Sequence, residues 1–199
     1  MHTPCTKTDS ELVVQLKDVS MRREAFSILV ERYSRRLYWH IRHMVVSHED
    51  ADDILQDTFI KAWTHIDDFR ADSQISTWLF RIAINESLTF LSHKQETIPI
   101  DTPNSPPVSM LESDPWFDGD EAAICLQKAL ASLPPKQRVV FNMKYFDNMK
   151  YEEMSKILET SVGALKASYH IAVKKSKVSS LLIIKPFSIA NVLSTNGCS

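Results

Sequence analysis

Apolar residues recur every three or four positions through the first half of the chain, and this spacing constrains the fold more than any other feature. Three such stripes lie within residues 26–45, 51–66 and 75–90. Each spacing places its apolar side chains on one face of an α-helix. With a short opening helix after Ser10, which we expect to be its N-cap, the pattern predicts an N-terminal bundle of about four helices.

Composition supports a helical, folded chain. Only three glycines occur in 199 residues, which argues against a β-rich fold with many tight turns. Apolar residues make up 44% and charged residues 24%, a balance typical of folded globular domains. No run approaches the roughly 20 apolar residues that span a bilayer, so we expect no stable membrane insertion.

Charge and cysteine content narrow the class of protein. The 23 Lys and Arg residues oppose 25 Asp and Glu residues, so the chain lacks the basic balance of a protein that holds duplex DNA unaided. Cys5, Cys125 and Cys198 are odd in number and far apart, which disfavours a disulfide framework and a cysteine zinc site. The first residues lack a secretory pattern, and we therefore expect a cytoplasmic protein.

Residues 95–121 differ in composition from the segments on either side. They contain seven carboxylates, five prolines and no Lys or Arg, which predicts an acidic linker that could extend about 90 Å at ~3.3 Å per residue. The linker separates an N-terminal domain (1–94) from a C-terminal domain (122–178). A tail (179–199) follows, and its role as an extra docking segment or a disordered end stays open.

The C-terminal domain is predicted to contain four shorter helices, at about residues 120–132, 135–146, 151–158 and 162–177. Pro135 suits the first turn of its helix, where its missing N–H has no intrahelical partner. The last two helices are joined only by Glu159, Thr160 and Ser161, the length of a helix-turn-helix connection. The fold class predicted is therefore all-α, with two small helical domains joined by a linker.

Two polar surfaces are candidates for function. Asp53, Gln56 and Asp57 lie at i, i+3 and i+4, on the face opposite the second apolar stripe. On the last helix Lys166 shares a face with residues 170 and 174, and no carboxylate occurs after Glu159. This end is locally positive, as contact with DNA phosphates requires.

We predict no catalytic, metal or cofactor site. No nucleophile or phosphate-loop pattern is present. The acids at positions 49, 50, 52 and 53 suit a solvated helix N-terminus, which favours negative charge without a metal. His40 and His43, at i and i+3, are likewise not expected to bind metal.

Three long segments carry a family resemblance. They are EDADDILQDTFIKAW (residues 49–63), FRADSQISTWLFRIAIN (69–85) and LPPKQRVVFNMKYFDNMKYEEMSKILETSVGALKASYHIA (133–172). In this order they resemble the extracytoplasmic-function (ECF) group of bacterial RNA polymerase sigma factors. The resemblance implies a promoter-specificity subunit without enzymatic activity of its own. Its implied partners are core RNA polymerase, promoter DNA and an anti-sigma factor.

The resemblance also implies roles for individual residues. The residues matched to docking on the polymerase clamp helices are Asp53, Gln56 and Asp57. Those matched to opening and capture of the minus-10 element are Arg70, Asp72, Ser73, Gln74, Trp78, Arg81 and Asn85. Those matched to the minus-35 element, by base or phosphate contact, are Lys166, Ala167, Ser168, His170, Lys174 and Lys175.

Several positions depart from the family pattern. Ala71 stands where members often have Gly, and Ser168 and Ile171 stand where they often have Arg. These departures leave open an alternative function, a sigma-like decoy that binds an anti-sigma factor without directing transcription. A conventional DNA-binding regulator would account only for the helix-turn-helix and would leave the N-terminal segments unexplained.

Overall fold

A computed structural model describes residues 7–45, 47–69, 74–97, 126–127 and 129–175, with only the backbone for 95–97. Within these ranges the chain forms helices and no strand, which confirms the all-α prediction. The elements are α1 (Asp9–Lys17), α2 (Arg22–Val45), α3 (His48–Thr64), a 3₁₀ helix (Ile66–Asp68), α4 (Ile75–Thr97), α5 (Pro135–Tyr145), α6 (Tyr151–Leu158) and α7 (Val162–Lys175). Residues 126–127 and 129–131 are also helical.

The first helix begins earlier than the sequence predicted. Thr8, not Ser10, is the N-cap of α1, because Thr8 and Glu11 form a capping box. The Thr8 hydroxyl accepts the Glu11 N–H at 3.3 Å, and the Glu11 carboxylate accepts the Thr8 N–H at 2.6 Å. Two backbone donors at the helix start are thus satisfied reciprocally, which Ser10 could not achieve from inside the first turn.

Helix α2 is the centre of the N-terminal bundle and packs against α1, α3 and α4. The three predicted stripes face the core. Their fully buried or nearly buried members are Leu29, Tyr33, Leu37, Ile41, Val45, Ala51, Ile54, Thr58, Ala62, Ile66, Ile75, Leu79 and Ala83. Other predicted members, such as Phe26 and Phe90, are only partly buried at the edge of this core.

Helix α4 runs three residues beyond the predicted domain boundary. It continues through Thr97, so residues 95–97 are helical where the sequence predicted linker. No helix-breaking residue occurs in this stretch until Pro99.

The C-terminal domain has a small apolar cluster of Leu130, Leu133, Phe141 and Ala172. Other buried apolar residues of this domain belong to the same cluster as the N-terminal core; they are Val139, Val140, Met143, Met149, Met154, Ile157 and Leu165. Helix α5 begins with Pro135 in its first turn, as predicted. Helix α6 has the predicted bounds and ends at Glu159, whose backbone is left-handed with φ 51° and ψ 39°. Ser161 then accepts the Ala164 N–H and starts α7, which completes the helix-turn-helix.

The two domains touch each other. Helices α2 and α4 of the N-terminal domain pack against α5 and α6 of the C-terminal domain. Phe80 and Ile84 on α4 are buried although they lie outside the predicted stripe. Helix α4 therefore has partners on more than one side. Of the described residues, none belongs to a helix long and apolar enough to cross a membrane.

Candidate functional surfaces

Helix α3 presents the predicted polar patch to solvent. Its N-cap, Ser47, accepts the N–H of Asp50, and the opposite face of the helix is buried in the core. Asp53, Gln56 and Asp57 are all exposed. These three side chains therefore share one accessible face of the helix, as their i, i+3 and i+4 spacing predicts.

Apolar side chains adjoin this patch, and the sequence reasoning did not select them. Ile60 is 53% exposed and Trp63 is 43% exposed. With Phe26, Gln56 and Phe59 they line a groove of about 400 Å³. The sequence contains a signal for these residues, because Ile60 and Trp63 follow Gln56 by four and seven residues and therefore lie on the same helix face. An apolar centre beside polar groups is the usual composition of a protein-binding surface.

The structure describes only some of the residues that are predicted to bind the minus-10 element. Arg70, Asp72 and Ser73, with Ala71, lie outside the described residues. Gln74 and Asn85 are exposed, the first just before α4 and the second along it.

Trp78 packs partly against the core, with its ring centroid 5.2 Å from that of Phe69. A side chain in this position supports the packing of α4 as well as offering one edge to solvent.

Arg81 contacts the C-terminal domain. Its Nη2 donates to the carbonyl oxygen of Lys156 at 2.5 Å, and its Nη1 lies 2.8 Å from the Oε1 of Glu159. A residue predicted to follow the promoter strand is thus engaged with α6 and its C-cap in this structure. No local sequence pattern indicates this contact, because Lys156 and Glu159 lie more than 70 positions from Arg81.

The predicted minus-35 residues lie on α7. Leu165 and Ala172 face the core, whereas Lys166, Ala167, His170, Lys174 and Lys175 are exposed and Ser168 is partly buried. The helix therefore presents a basic outer face. The buried stripe and the polar face both follow the predicted helical spacing.

Tyr151, at the start of α6, extends this basic surface. The Nζ of Lys144 lies 5.2 Å from its ring centroid and the Nζ of Lys166 lies 5.7 Å from it. Both distances allow cation–π attraction. Burial raises the pKa of the Tyr151 hydroxyl, so the phenol stays neutral at physiological pH. Sequence reasoning missed Tyr151 and Lys144, because they come from different helices.

Within the described ranges, no group of three or more His, Cys, Asp or Glu side chains could hold a metal ion. The two histidines considered as metal ligands have other contacts. His40 pairs with Asp147, at 2.6 Å between Nδ1 and Oδ2, and the His43 ring stacks on Phe146.

Comparison with known proteins defines the class first. A family described as Sigma-70 region 2 matches residues 29–97, and one described as Sigma-70, region 4 matches residues 123–175. The first match covers α2 to α4, and the second covers the described C-terminal helices. The chain thus contains the two domains of a sigma-70-type sigma factor, joined in the expected order.

Individual relatives narrow the class. The ECF RNA polymerase sigma factor SigW of Bacillus subtilis is 30% identical over 158 residues, which cover 74% of this chain and 84% of SigW. The ECF RNA polymerase sigma-E factor of Escherichia coli K12 is 28% identical over 175 residues, covering 80% and 87% of the two chains. Among solved structures, CnrH in complex with the cytosolic domain of CnrY has 27% identity and a TM-score of 0.64, covering 88% of this chain and 97% of CnrH. The chain belongs to the ECF sigma factors, the promoter-specificity subunits of RNA polymerase in transcription initiation.

Proposed function

We propose that this sigma factor binds core RNA polymerase through the outer face of α3. The observation that carries this assignment is the exposed patch of Asp53, Gln56 and Asp57 beside the exposed Ile60 and Trp63. The carboxylates complement basic side chains on the polymerase and contribute mainly to specificity and association rate. The apolar side chains supply area that is removed from water on binding.

Promoter DNA is read by two surfaces in this proposal. The exposed basic face of α7 enters the major groove of the minus-35 element, with Lys166 and His170 near base edges and Lys175 on a phosphate. The segment before α4, with Gln74, Arg81 and Asn85, holds the opened minus-10 strand. Trp78 contributes one ring edge to this surface. Unpaired bases can be bound there by stacking and pocket contacts that duplex DNA does not offer.

The chain supplies specificity in this proposal, and the polymerase supplies the chemistry. The near balance of 23 basic and 25 acidic residues supports this division, because weak DNA binding by each domain becomes sufficient once polymerase holds both. The site of action is the cytoplasm, where polymerase and promoters are present.

A second partner is an anti-sigma factor. CnrH, at 27% identity, was solved with the cytosolic domain of CnrY bound to it. We expect a comparable antagonist to contact both helical domains of this chain. Affinity purification from the native cell should recover it. Recovery of polymerase alone, with the free chain active in every growth condition, would contradict this part of the proposal.

The experiment is transcription in vitro by the purified chain and bacterial core polymerase on a pooled promoter library. Transcripts should start at a subset of promoters with a shared upstream and downstream element. Asp53→Arg with Gln56→Ala should abolish these transcripts and weaken polymerase binding, with unchanged helical circular dichroism. Glu31→Arg, an equal charge change at an exposed position of α2, is the matched control. A chain that bound an anti-sigma factor but started no transcript would instead be a sigma-like decoy.

A further inference from the structure

One aromatic ring lies where the helices of the C-terminal domain meet. Tyr151, the first residue of α6, is half-buried and packs against the apolar core, which fixes the position of its ring. The turn before α6 is fixed as well, because the Lys144 Nζ donates to the Met149 carbonyl at 3.2 Å. Tyr151 therefore presents its ring at a defined place next to α7.

The Lys166 side chain of α7 lies close to this ring. Its Nζ is 5.7 Å from the ring centroid, within the range of cation–π attraction. Lys166 is exposed, and α7 contains no carboxylate to which the ammonium could turn. The ring thus gives this cation a preferred direction.

A preferred direction is useful to a lysine that reads bases. The ammonium is a point charge at the end of a flexible four-carbon stem, and fixing such a stem costs conformational entropy. Base edges are distinguished by the positions of their donors and acceptors, so a reading group must be held in place. A side chain that is already held near its bound conformation loses less entropy on binding.

A second lysine shares the ring. The Lys144 Nζ lies 5.2 Å from the Tyr151 ring centroid, closer than the Nζ of Lys166. Because like charges repel, Lys144 opposes a tighter approach of Lys166 to the ring. The hold on Lys166 is therefore weak, and its ammonium can move from the ring to an acceptor on DNA at little cost.

We propose that Tyr151 is a positioning residue for promoter recognition: its ring orients the Lys166 ammonium toward the bases of the minus-35 element and so sets the base preference of α7. This inference rests on the proposed function, which places Lys166 near base edges. The ring supplies the effect, and the hydroxyl does not. Burial raises the pKa of this hydroxyl, and the neutral phenol has a negative ring face like that of phenylalanine.

The test compares two variants of Tyr151 in the holoenzyme. Loss of an exposed cation–π contact corresponds to a loss of affinity of about two- to fivefold. Tyr151→Leu should weaken binding to the preferred promoter by this factor and relax the base preference at the position that Lys166→Ala also relaxes. Tyr151→Phe, which keeps the ring, should retain the wild-type preference. Binding is measured on duplexes that carry each single-base change in the upstream element.

A double-mutant comparison separates positioning from a general effect on the fold. In the Lys166→Ala background, Tyr151→Leu should cause no further loss, because the side chain through which Tyr151 acts is gone. Tyr38→Leu, at a half-buried tyrosine of α2, is the matched control and should keep the wild-type base preference. Circular dichroism checks that each variant is helical. If Tyr151→Leu does not fold, Tyr151→Met, with its adaptable unbranched side chain, replaces it in the same comparison.

Three results would overturn the proposal. The first is an unchanged base preference in Tyr151→Leu while Lys166→Ala relaxes it, which would leave the proposed function intact. The second is an equal, sequence-blind loss in Tyr151→Leu and Tyr151→Phe, which would make the hydroxyl a phosphate contact. The third is an unchanged base preference in Lys166→Ala, which would count against the proposed reading of DNA by α7 and against this inference with it.

Discussion

Arg138 carries a buried charge whose described partners are backbone carbonyls. Besides Met44 on α2, it donates to the carbonyls of Ala131 and Leu133 in its own domain. Met44 lies in the last turn of α2, where the helix dipole presents partial negative charge. This end of the helix offsets part of the desolvation of the guanidinium, although burial still lowers its pKa.

Substitution of Arg138 should therefore destabilise the fold. Arg138→Met keeps much of the volume but leaves three carbonyl oxygens without this donor, and we expect a loss of about 2 kcal/mol in the free energy of unfolding. Urea unfolding followed by circular dichroism measures this loss. Arg138→Lys, which retains one charged donor, should lose less. Equal stability of the methionine variant and the wild type would show that the carbonyls do not need the guanidinium.

His43 provides a test based on pH. Burial lowers its pKa from 6.5 to about 4, and Asp147 favours the protonated form, while His40 and Arg42 oppose it. A neutral imidazole in the folded state and an ordinary one in the unfolded state mean that the unfolded state takes up the proton first. The His43 contribution to the free energy of unfolding is therefore complete above pH 6.5 and is lost as the pH falls toward 4.

The free energy of unfolding of the wild type, measured by urea denaturation, should thus fall between pH 7.5 and pH 5. His43→Phe retains a ring to stack on Phe146 and removes the titrating group, so its free energy of unfolding should change less over this range. His65→Gln, at an exposed position, is the control and should follow the wild type. Identical pH profiles for all three proteins would exclude His43 as the cause.

At the scale of the element, α3 combines a buried face with the exposed face that we propose binds polymerase. Ile60 is more than half exposed, so its replacement should not disturb the core. Ile60→Asp should weaken polymerase binding by about 2 kcal/mol, because it places a charge in the apolar centre of the surface. Val14→Asp is the matched control, since Val14 is an exposed apolar residue of α1. Fluorescence titration with core polymerase compares them, and equal affinities would remove Ile60 from the interface.

Helix α7 allows base contacts to be separated from phosphate contacts. Lys166→Ala should cost about 1–3 kcal/mol at the preferred promoter and relax its base preference, as expected for a contact to base edges. Lys175→Ala should weaken all sequences similarly and lower the salt dependence by about one unit. Holoenzyme binding to a set of upstream-element variants at several salt concentrations measures both effects. Sequence-blind losses from both variants would contradict the assignment.

The helices could be predicted because apolar spacing depends only on residues that are close in sequence. The stripes of α2, α3 and α4 include 13 of the 40 buried residues in the described part of the chain, and the turn at Glu159 was predicted from its length alone. Thr8 was missed as the N-cap although the sequence marks it, because Glu11 follows Thr8 at the capping-box spacing, whereas Val13 occupies that position after Ser10.

The contact between the domains could not be predicted in the same way. It depends on single polar residues such as His40 and Asp147, which are 107 positions apart and follow no period. The linker limits the largest distance that can separate the two domains, but it does not determine the distance between them in the folded protein. The burial of Phe80 on α4 follows from tertiary packing and not from its own helix pattern.

At the scale of the whole molecule, we expect the linker to connect two domains that each bind DNA weakly. A protease site inserted between Pro106 and Pro107 should leave transcription intact before cleavage. Cleavage should reduce specific transcription at least tenfold at submicromolar protein, because the second domain loses its effective concentration, which is millimolar for a short flexible link. Run-off transcripts from cut and uncut protein measure this difference. Equal transcript levels would show that polymerase recruits the two domains independently.

The bond from Arg138 to the carbonyl of Met44 has an evolutionary consequence. The acceptor belongs to the backbone, so any apolar residue that maintains the last turn of α2 presents the same oxygen. Position 44 can therefore drift among apolar residues without altering this bond, whereas position 138 cannot change without losing it. Selection on this bond acts on one side of the boundary only, and two paralogues that differ at position 44 would still form it if they exchanged their C-terminal domains.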